Sequence, residues 1–366
     1  MKKHHSARFV FVILAMALAL SVTYWAGCSK TPNEPTTQET ILSPTSPQAR
    51  AVMAVQDRYT DNLLAHPEVV GTATGLTEDG KPAIVVLTKS ELSTKADVKI
   101  ESLRKGVAPV AIPAAIEDLP VVVIVTGEIK ALKGGGGGGF DPKLRHRPAP
   151  NGVSLGHPAI TAGTLGCLVT NGSTIYILSN NHVMANSNDA AIGDNILQPG
   201  PFDGGQDPAD RIADLSAFKL IDFTGADNDI DAAIADVVND NDVTGETHPN
   251  AGSYGKPRTA TVNASVGMRV QKYGRTTQHT NGKVQAINAT VNVSYGSSGV
   301  AHYVGQIIIN PGGFSAGGDS GSLIVVRGGS NDRKPVGLLF AGSSSITIAN
   351  PINAVLGHFG VTVVGD

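Results

Sequence analysis

The stretch GGFSAGGDSGSLIVV, residues 312–326, carries five glycines, three serines and one aspartate before it becomes wholly apolar. Its opening part is too polar and too flexible for an ordinary core strand. It therefore predicts one of two things: a turn that merely needs glycine, or a nucleophile presented at the mouth of a β-structure. In the second case Ser320 is the candidate, because glycines leave bare backbone N–H groups around it.

Length, composition and charge limit the kinds of fold and partner that the chain can have. The chain has 366 residues, which suits about two domains, and its hydrophobic content of 41% is ample for a core. Only 16% of residues are charged and 43 are glycine, a mixture that favours short strands and many turns over long helices. With a net charge of −3 and no long basic run, we expect no nucleic-acid partner.

The N-terminus is typical of a targeting segment. A basic start and the apolar run FVFVILAMALALSV precede small residues and Cys28. Residues 1–27 are therefore expected to be a signal peptide. The end of this segment resembles the lipobox of bacterial lipoproteins, which implies lipidation at Cys28 and an exported, membrane-anchored protein of a bacterial envelope. A cleaved secretory signal with a secreted product, and an uncleaved anchor, remain alternatives.

Three segments follow the signal. Residues 28–48 are rich in Pro, Thr and Ser and predict a tether. Residues 49–132 alternate helical and strand patterns, which predicts a small α+β domain with no evident catalytic constellation. Residues 133–150 contain six consecutive glycines, which predicts a flexible linker that is open to proteolysis.

Short strand patterns separated by Gly, Asn and Asp fill residues 151–366, which predicts an all-β domain built as a sandwich or a pair of barrels. The stretch IYILSNNHVMA places His182 at the end of an apolar strand, where a base could meet a nucleophile from elsewhere. Asp231 precedes the apolar run AAIADV, where a buried carboxylate could orient an imidazole. Asp229 shares a strand face with Asp231, so alternation cannot choose between them. His279 and His302 are rival bases.

The order His182, Asp231, Ser320 is that of the chymotrypsin arrangement. Residues 151–366 resemble bacterial trypsin-like serine proteases. GGDSGSLIV matches the motif around the nucleophile, SNNHV the segment of the general base and DIDAAIADV the Asp-x-Ala segment; FAGSSS followed by ANPI resembles the cleft-lining strand. The resemblance implies a two-barrel endopeptidase domain that acts on polypeptides through a catalytic triad and needs no cofactor.

Further positions follow from the same resemblance. The backbone N–H groups of Gly318 and Ser320 are expected to form the oxyanion hole. Phe314, six residues before the nucleophile, is expected at the base of the primary pocket, while Gly342 and Ser343 are expected to bind an extended peptide. Asp319 is implied to form a buried ion pair whose partner the sequence does not name. The chain lacks an Ile-Val-Gly-Gly stretch, which speaks against activation by a new N-terminus.

Two cysteines exclude a disulfide framework if Cys28 is lipidated, and Cys167 lies in an apolar run, which predicts a buried thiol. No Cys/His cluster indicates a metal site, and the Asp-rich segment 189–229 lacks EF-hand spacing. Two other functions stay open: a catalytically silent peptide-binding scaffold, and a protease limited to processing itself. The N-terminal domain could act within the same chain as an inhibitory segment or as a recruiting module.

Overall fold

The structure is a computed structural model of the chain, and it describes residues 42–95, 98, 111–131, 140–249 and 252–366. The predicted signal peptide, Cys28 and most of the tether lie outside the described residues. Among those that are described, no helix is both long and apolar enough to span a membrane.

A helix and short strands form the N-terminal region. They are α1 (Pro47–Leu64), β1 (Val69–Leu76), β2 (Pro82–Thr88), β3 (Thr94–Lys95), β4 (Ile112–Pro113), β5 (Ala115–Ile116), β6 (Leu119–Val125) and β7 (Lys130–Ala131). Helix α1 begins where the Ser46 side chain accepts a hydrogen bond from the N–H of Ala49. Strand β6 lies parallel to β2, and β1 lies antiparallel to β2. Helix α1 packs over this sheet, as the predicted α+β pattern requires.

The first β unit contains most of the strands that follow. Its elements are β8 (Ala149–Asn151), β9 (Ser154–Leu155), β10 (Gly163–Thr164), β11 (Cys167–Thr170), β12 (Ile175–Ser179), α2 (Asn181–Met184), β13 (Asn195–Leu197), β14 (Arg211–Phe218), β16 (Ala233–Val237) and β17 (Val243–Thr247). Strand β15 (Asp227–Asn228) lies between β14 and β16 in the sequence but pairs with the second β unit. A six-stranded sheet in the order β13, β14, β16, β12, β11 is completed by a short strand from the C-terminus, β24 (Thr362–Val363). An apolar cluster that includes Leu155, Ile177 and Leu215 forms the core of this unit.

The second β unit is a closed barrel. Its elements are β18 (Arg269–Gly274), β19 (Gln278–Ser294), β20 (Val300–Asn310), β21 (Leu323–Val326), β22 (Pro335–Gly342), β23 (Thr347–Pro351) and α3 (Ile352–Phe359). Each of six strands pairs with the next around the ring β18, β19, β20, β23, β22, β21 and back to β18. A third cluster, which includes Leu178, Tyr273 and Leu338, joins the two units. The predicted mainly β fold with a small α+β part ahead of it is confirmed.

The N-terminal sheet continues into the barrel. Strand β1 pairs antiparallel with β19, with Gly71 opposite Val291. Gln56 of α1 is fully buried; its amide donates to the Asn288 carbonyl at 2.8 Å and accepts from the Thr74 hydroxyl at 2.7 Å. The small α+β region is thus fastened to the barrel by a shared sheet and by buried hydrogen bonds, a connection that no local sequence pattern indicates.

The segment expected to be a linker has two parts. Its glycine run lies outside the described residues. Residues 140–150 pack on the first β unit: the Phe140 ring stacks on His248 with centroids 4.0 Å apart, and the Arg147 guanidinium donates to the Gln198 side chain at 2.6 Å. Phe140 and Arg147 supply contacts that glycine cannot, so this half is ordered where the sequence predicted flexibility.

Candidate active site

His182 and Asp231 lie together at the ends of neighbouring strands. Helix α2, which carries His182, follows β12 directly, and Asp231 precedes β16, the antiparallel neighbour of β12. His182 Nδ1 lies 2.5 Å from Asp231 Oδ2, and the His182 N–H donates to Oδ1 at 3.2 Å. Because a carboxylate only accepts, Nδ1 carries the proton and Nε2 presents a lone pair. That Nε2 is buried and has no hydrogen-bond partner among the described residues.

The structure distinguishes between the two aspartates that alternation could not separate. The Asp231 side chain is completely buried, whereas that of Asp229 is 54% exposed and pairs with Lys219 at 3.3 Å. Two buried asparagines hold the Asp231 backbone: its N–H donates to Asn350 Oδ1 at 3.1 Å, and its carbonyl accepts from Asn180 Nδ2 at 2.7 Å. Asp231 is therefore fixed from both sides and faces the imidazole.

Ser320 lies in the turn before β21 and is fully buried. Its hydroxyl donates to the Phe340 carbonyl of β22 at 3.3 Å. Thr164 of β10 holds the turn, since its N–H donates to the Ser320 carbonyl and its hydroxyl to the Gly318 carbonyl, each at 2.8 Å. With these carbonyls engaged by β10, the turn is anchored to the first β unit, which also carries the base.

Glycine is required where the Ser320 turn meets the strand before His182. Gly321 has φ of +92°, and a Cβ atom there would lie 2.0 Å from Ser179 Oγ and 2.5 Å from the Thr164 carbonyl. Gly163 sits between Val183 and Ser320: a Cβ would meet the Val183 methyls at 2.4 Å and the Ser320 carbonyl at 3.1 Å. The motif glycine and its partner thus let the serine turn approach the histidine segment closely.

Asp319 forms the buried ion pair whose partner the sequence could not supply. Lys272 Nζ lies 3.3 Å from Asp319 Oδ2, and both side chains are completely buried. The carboxylate also accepts from the N–H groups of Thr276 at 2.8 Å and Ala316 at 3.0 Å, and from the Thr277 hydroxyl at 2.6 Å. Burial lowers the pKa of Lys272, while the adjacent carboxylate acts in the opposite direction.

A polar cleft of about 1030 Å³ lies beside the imidazole. Gly342 and Ser343, expected to bind a peptide, line it together with His182. The end of the N-terminal region also lines the cleft, which the sequence did not indicate; its lining residues are Thr126, Gly127, Glu128, Lys130 and Ala131. There β7 pairs antiparallel with β22, with Ala131 opposite Ala341 and Lys130 opposite Gly342. A stretch of the chain itself therefore runs along the cleft wall as an added strand.

Phe314 lies elsewhere. It is fully buried in an apolar cluster with Val270 and Val284, and Lys272 Nζ lies 5.9 Å from its ring centroid. It is not among the described residues that line the cleft. A substrate-binding role for Phe314 stays a prediction.

The rival histidines have partners of their own. His279 Nε2 lies 3.1 Å from Gln271 Oε1, and His302 Nδ1 lies 2.8 Å from Asn292 Oδ1. Neither of them lines the cleft in the described part of the chain. Cys167 is buried and free, as predicted, and burial raises the pKa of its thiol to about 12. No group of three or more His, Cys, Asp or Glu side chains suited to a metal ion occurs among the described residues.

Sequence reasoning missed the residue that completes the surroundings of Asp231. The Tyr295 hydroxyl donates to Asp231 Oδ2 at 2.8 Å from the far end of β19. The two residues are separated by 64 positions, and nothing in the local pattern VSYGSSG marks this tyrosine. Lys272 was also missed, because its local pattern is only that of a charged residue within a strand, and burial of its side chain becomes evident only in the structure.

Comparisons with known proteins find one family model and several serine proteases of low similarity. Residues 255–350 match the family model described as the Nal1 C-terminal domain, and no curated protein matches the chain. Thermobifida fusca protease A is 19% identical, with a TM-score of 0.43 over 59% of this chain and 98% of its own. A glutamic-acid-specific serine protease is 24% identical, with a TM-score of 0.42 over 57% and 97%. Cellulomonas bogoriensis chymotrypsin is 15% identical, with a TM-score of 0.40 over 59% and 98%. Similarity at this level does not establish an activity for this chain.

Proposed function

We propose that the chain is a serine endopeptidase in which Ser320 is the nucleophile, His182 the general base and Asp231 the group that orients it. The observation that carries the proposal is the buried His182–Asp231 contact of 2.5 Å, which leaves His182 Nε2 without a hydrogen-bond partner among the described residues. The Gly-Asp-Ser-Gly turn packs closely against the strand that precedes His182. A neutral imidazole with its proton on Nδ1 is the form that a serine hydroxyl requires as its base.

The reaction follows the chemistry of acyl transfer. Ser320 Oγ attacks the carbonyl carbon while His182 Nε2 takes the hydroxyl proton, and Asp231 stabilises the imidazolium. The N–H groups of Gly318 and Ser320 receive the developing oxyanion. The proton then passes to the leaving amine, the C–N bond breaks, and water repeats the sequence to release the acid from the acyl-enzyme. In this structure the Ser320 hydroxyl still donates to Phe340, so it must rotate toward His182 when substrate binds.

The test is hydrolysis of unfolded casein by the full mature chain, followed by peptide mass spectrometry. We expect cleavage that is lost in Ser320→Ala and in His182→Ala. The matched control is Ser173→Ala, an exposed serine in the turn between β11 and β12. Cleavage that persists in Ser320→Ala would overturn the proposal. Absence of cleavage by a folded wild-type chain would favour the peptide-binding scaffold.

A second candidate, self-processing, is favoured by the strand in the cleft. Residues Lys130–Ala131 already pair with Ala341 and Gly342 as an extended peptide substrate would. Ala341, which lies opposite Ala131, directly follows Phe340, whose carbonyl lies 3.3 Å from Ser320 Oγ. We infer that the first bond cut lies directly after β7, within residues 132–139, and that β7 acts as an intramolecular inhibitor until then.

Mass spectrometry of the purified chain tests this second candidate. We expect a new N-terminus within residues 132–139 in the wild type and an uncut chain in Ser320→Ala. An uncut wild-type chain that nevertheless cleaves casein would contradict self-processing while leaving the endopeptidase assignment intact.

Export and lipid anchoring at Cys28 remain proposals that rest on the N-terminal sequence pattern. They predict incorporation of an alkyne-labelled fatty acid into the wild-type chain and its loss in Cys28→Ala. The matched control is Cys167→Ala, since the buried thiol of Cys167 is not available to an acyl donor. Equal incorporation into wild type and Cys28→Ala would contradict lipidation at this cysteine.

A further inference from the structure

Two tyrosines extend the hydrogen-bonded chain behind the candidate triad. The Tyr295 hydroxyl lies 2.8 Å from Asp231 Oδ2, the same oxygen that accepts from His182 Nδ1. The Tyr303 hydroxyl lies 2.8 Å from that of Tyr295. Tyr295 follows β19 and Tyr303 lies on β20, so the barrel contacts the Asp231 carboxylate that the first β unit supplies.

The direction of each hydrogen bond follows from the acceptor at the end. An ionised carboxylate has no proton to give, so Tyr295 must donate to Asp231. A phenol has a single proton, so the Tyr295 oxygen then accepts from Tyr303. The order is therefore Tyr303 to Tyr295 to Asp231, with His182 donating to the same carboxylate from the other side. Chains of this kind strengthen each member by polarisation.

Burial strengthens the hydrogen bonds between these two tyrosines and Asp231. Asp231 and Tyr303 are 0% exposed, and Tyr295 is 6% exposed. A buried carboxylate needs donors to replace the water it has lost. Burial, and next the negative charge of Asp231, raise the pKa of Tyr295 well above its ordinary value, and the same two causes raise the pKa of Tyr303. Both phenols therefore stay protonated at neutral pH, and the donation to Asp231 persists.

The Tyr295 ring also contacts the base directly. It meets the His182 ring edge-on, with centroids 5.8 Å apart and planes at 72°. Phe223 also packs edge-on against Tyr295, with centroids 5.5 Å apart. Contacts with these two aromatic rings hold the Tyr295 ring, and with it the hydroxyl that donates to Asp231.

We propose that Tyr295 is a positioning residue of the candidate active site, whose hydroxyl, held by Tyr303, fixes the Asp231 carboxylate and through it the Nδ1–H form of His182. The inference rests on the proposed serine-hydrolase function. It adds a residue to the machinery: with the phenol in place, one carboxylate oxygen binds two donors and cannot rotate away from the imidazole. Without the phenol, Asp231 Oδ2 loses one of its two donors, and the carboxylate is held less firmly against His182.

The test is Tyr295→Phe in the full mature chain, which removes one oxygen and keeps the ring between its neighbours. Inactivation by a fluorophosphonate is measured as its maximal rate and its half-saturating concentration. We expect the maximal rate to fall about tenfold to a hundredfold, since hydrogen bonds to charged groups carry that much, with the half-saturating concentration unchanged. Tyr303→Phe is expected to have a smaller effect in the same direction.

Tyr254→Phe is the matched control. Tyr254 is buried in the cluster between the two β units, and its hydroxyl has no hydrogen-bond partner among the described residues. We expect this variant to react like the wild type. An equal loss of rate in Tyr254→Phe and Tyr295→Phe would mean that any buried phenol matters, and would overturn the proposal.

A second readout separates this proposal from the proposed function. The Nδ1 proton of His182, hydrogen-bonded to a buried carboxylate, is expected to give a low-field proton NMR resonance that His182→Gln removes. Tyr295→Phe should shift or broaden it, and Tyr254→Phe should not, whether or not the chain hydrolyses anything. A wild-type chain that is inert to the probe but has the Tyr295-sensitive resonance would refute the hydrolase and keep the positioning role. An unchanged resonance and an unchanged inactivation rate in Tyr295→Phe would overturn the positioning role.

Discussion

Lys272 Nζ lies 3.3 Å from Asp319 Oδ2, and both side chains are completely buried. Asp319 is the residue directly before Ser320, so this pair fixes the turn that carries the candidate nucleophile. The cation is supplied by a barrel strand of the same chain. The turn therefore needs no charge from a newly formed N-terminus, in agreement with the absence of an Ile-Val-Gly-Gly stretch.

Replacing Lys272 by methionine should be strongly destabilising. The substitution keeps an unbranched apolar side chain but leaves the Asp319 carboxylate buried without its cation, a change that costs about 3–5 kcal/mol in comparable buried pairs. Urea unfolding followed by circular dichroism measures it. Lys81→Met, which removes an exposed lysine paired with Asp79, is the control and should change the free energy of unfolding little. Equal stability of the two variants would show that the buried pair does not hold the turn.

His279 should make the protein less stable in mild acid. Burial lowers the pKa of His279 below its ordinary value of 6.5, and the charges of Lys272 and Arg327 lower it further. The unfolded chain then takes up a proton near pH 6.5 that the folded chain accepts only at lower pH. Because the unfolded state binds more protons in that window, the free energy of unfolding falls as the pH drops through and below 6.5.

His279→Gln removes this contribution, so we expect its free energy of unfolding to depend less steeply on pH than that of the wild type, between about pH 7.5 and 5. Urea titrations at several pH values provide the comparison. His358→Gln, at an exposed position, controls for the loss of one histidine. Parallel stability curves for wild type and His279→Gln would contradict the assignment.

Lys130→Pro should open the cleft. Proline cannot donate a backbone hydrogen bond, so it weakens the pairing of β7 with β22 at Gly342. If β7 blocks access to Ser320, the variant should react faster than the wild type with a bulky fluorophosphonate. Lys130→Ala is the matched control, because it keeps the backbone and removes only the exposed pair with Glu128. Identical rates for all three proteins would exclude β7 as an inhibitor.

Gln56→Ala should destabilise the barrel together with the N-terminal region. The truncation removes the hydrogen bonds of the Gln56 side chain to the buried Thr74 hydroxyl and to the Asn288 carbonyl. Leaving a buried polar group without its partner costs about 1–3 kcal/mol per group. Because β1 and β19 share a sheet, we expect one cooperative transition shifted to lower denaturant. Gln48→Ala, exposed on the same helix, is the control. Separate transitions for the two regions would contradict the shared-sheet account.

Local patterns predicted much of the strand content and the pairing of histidine with aspartate. The strands around His182, Asp231 and Ser320 are short apolar runs bounded by Gly, Asn and Asp. Such a pattern spans only a few residues, so it can be recognised from the sequence alone. The choice of Asp231 over Asp229 needed the structure, because residues two apart share a strand face until burial separates them.

Contacts between distant segments could not be predicted in this way. Tyr295 contacts Asp231 across 64 positions, and Ala131 of β7 pairs with Ala341 of β22 from a distant part of the sequence. No periodic pattern in the sequence indicates either contact, because each depends on how the two β units and the N-terminal sheet are assembled. The partner of Asp319 was hidden for the same reason: a lysine in a strand is ordinarily exposed, and only barrel closure buries Lys272.

The central claim is that Ser320 is activated by the His182–Asp231 pair, and covalent labelling by a small fluorophosphonate, located by peptide mass spectrometry, tests it most directly. The account predicts a phosphonyl adduct on Ser320 in the full mature chain, no adduct in Ser320→Ala, and a large loss of rate in His182→Ala and Asp231→Asn. A folded wild-type chain that stays unlabelled, with Lys130→Pro equally inert, would contradict it.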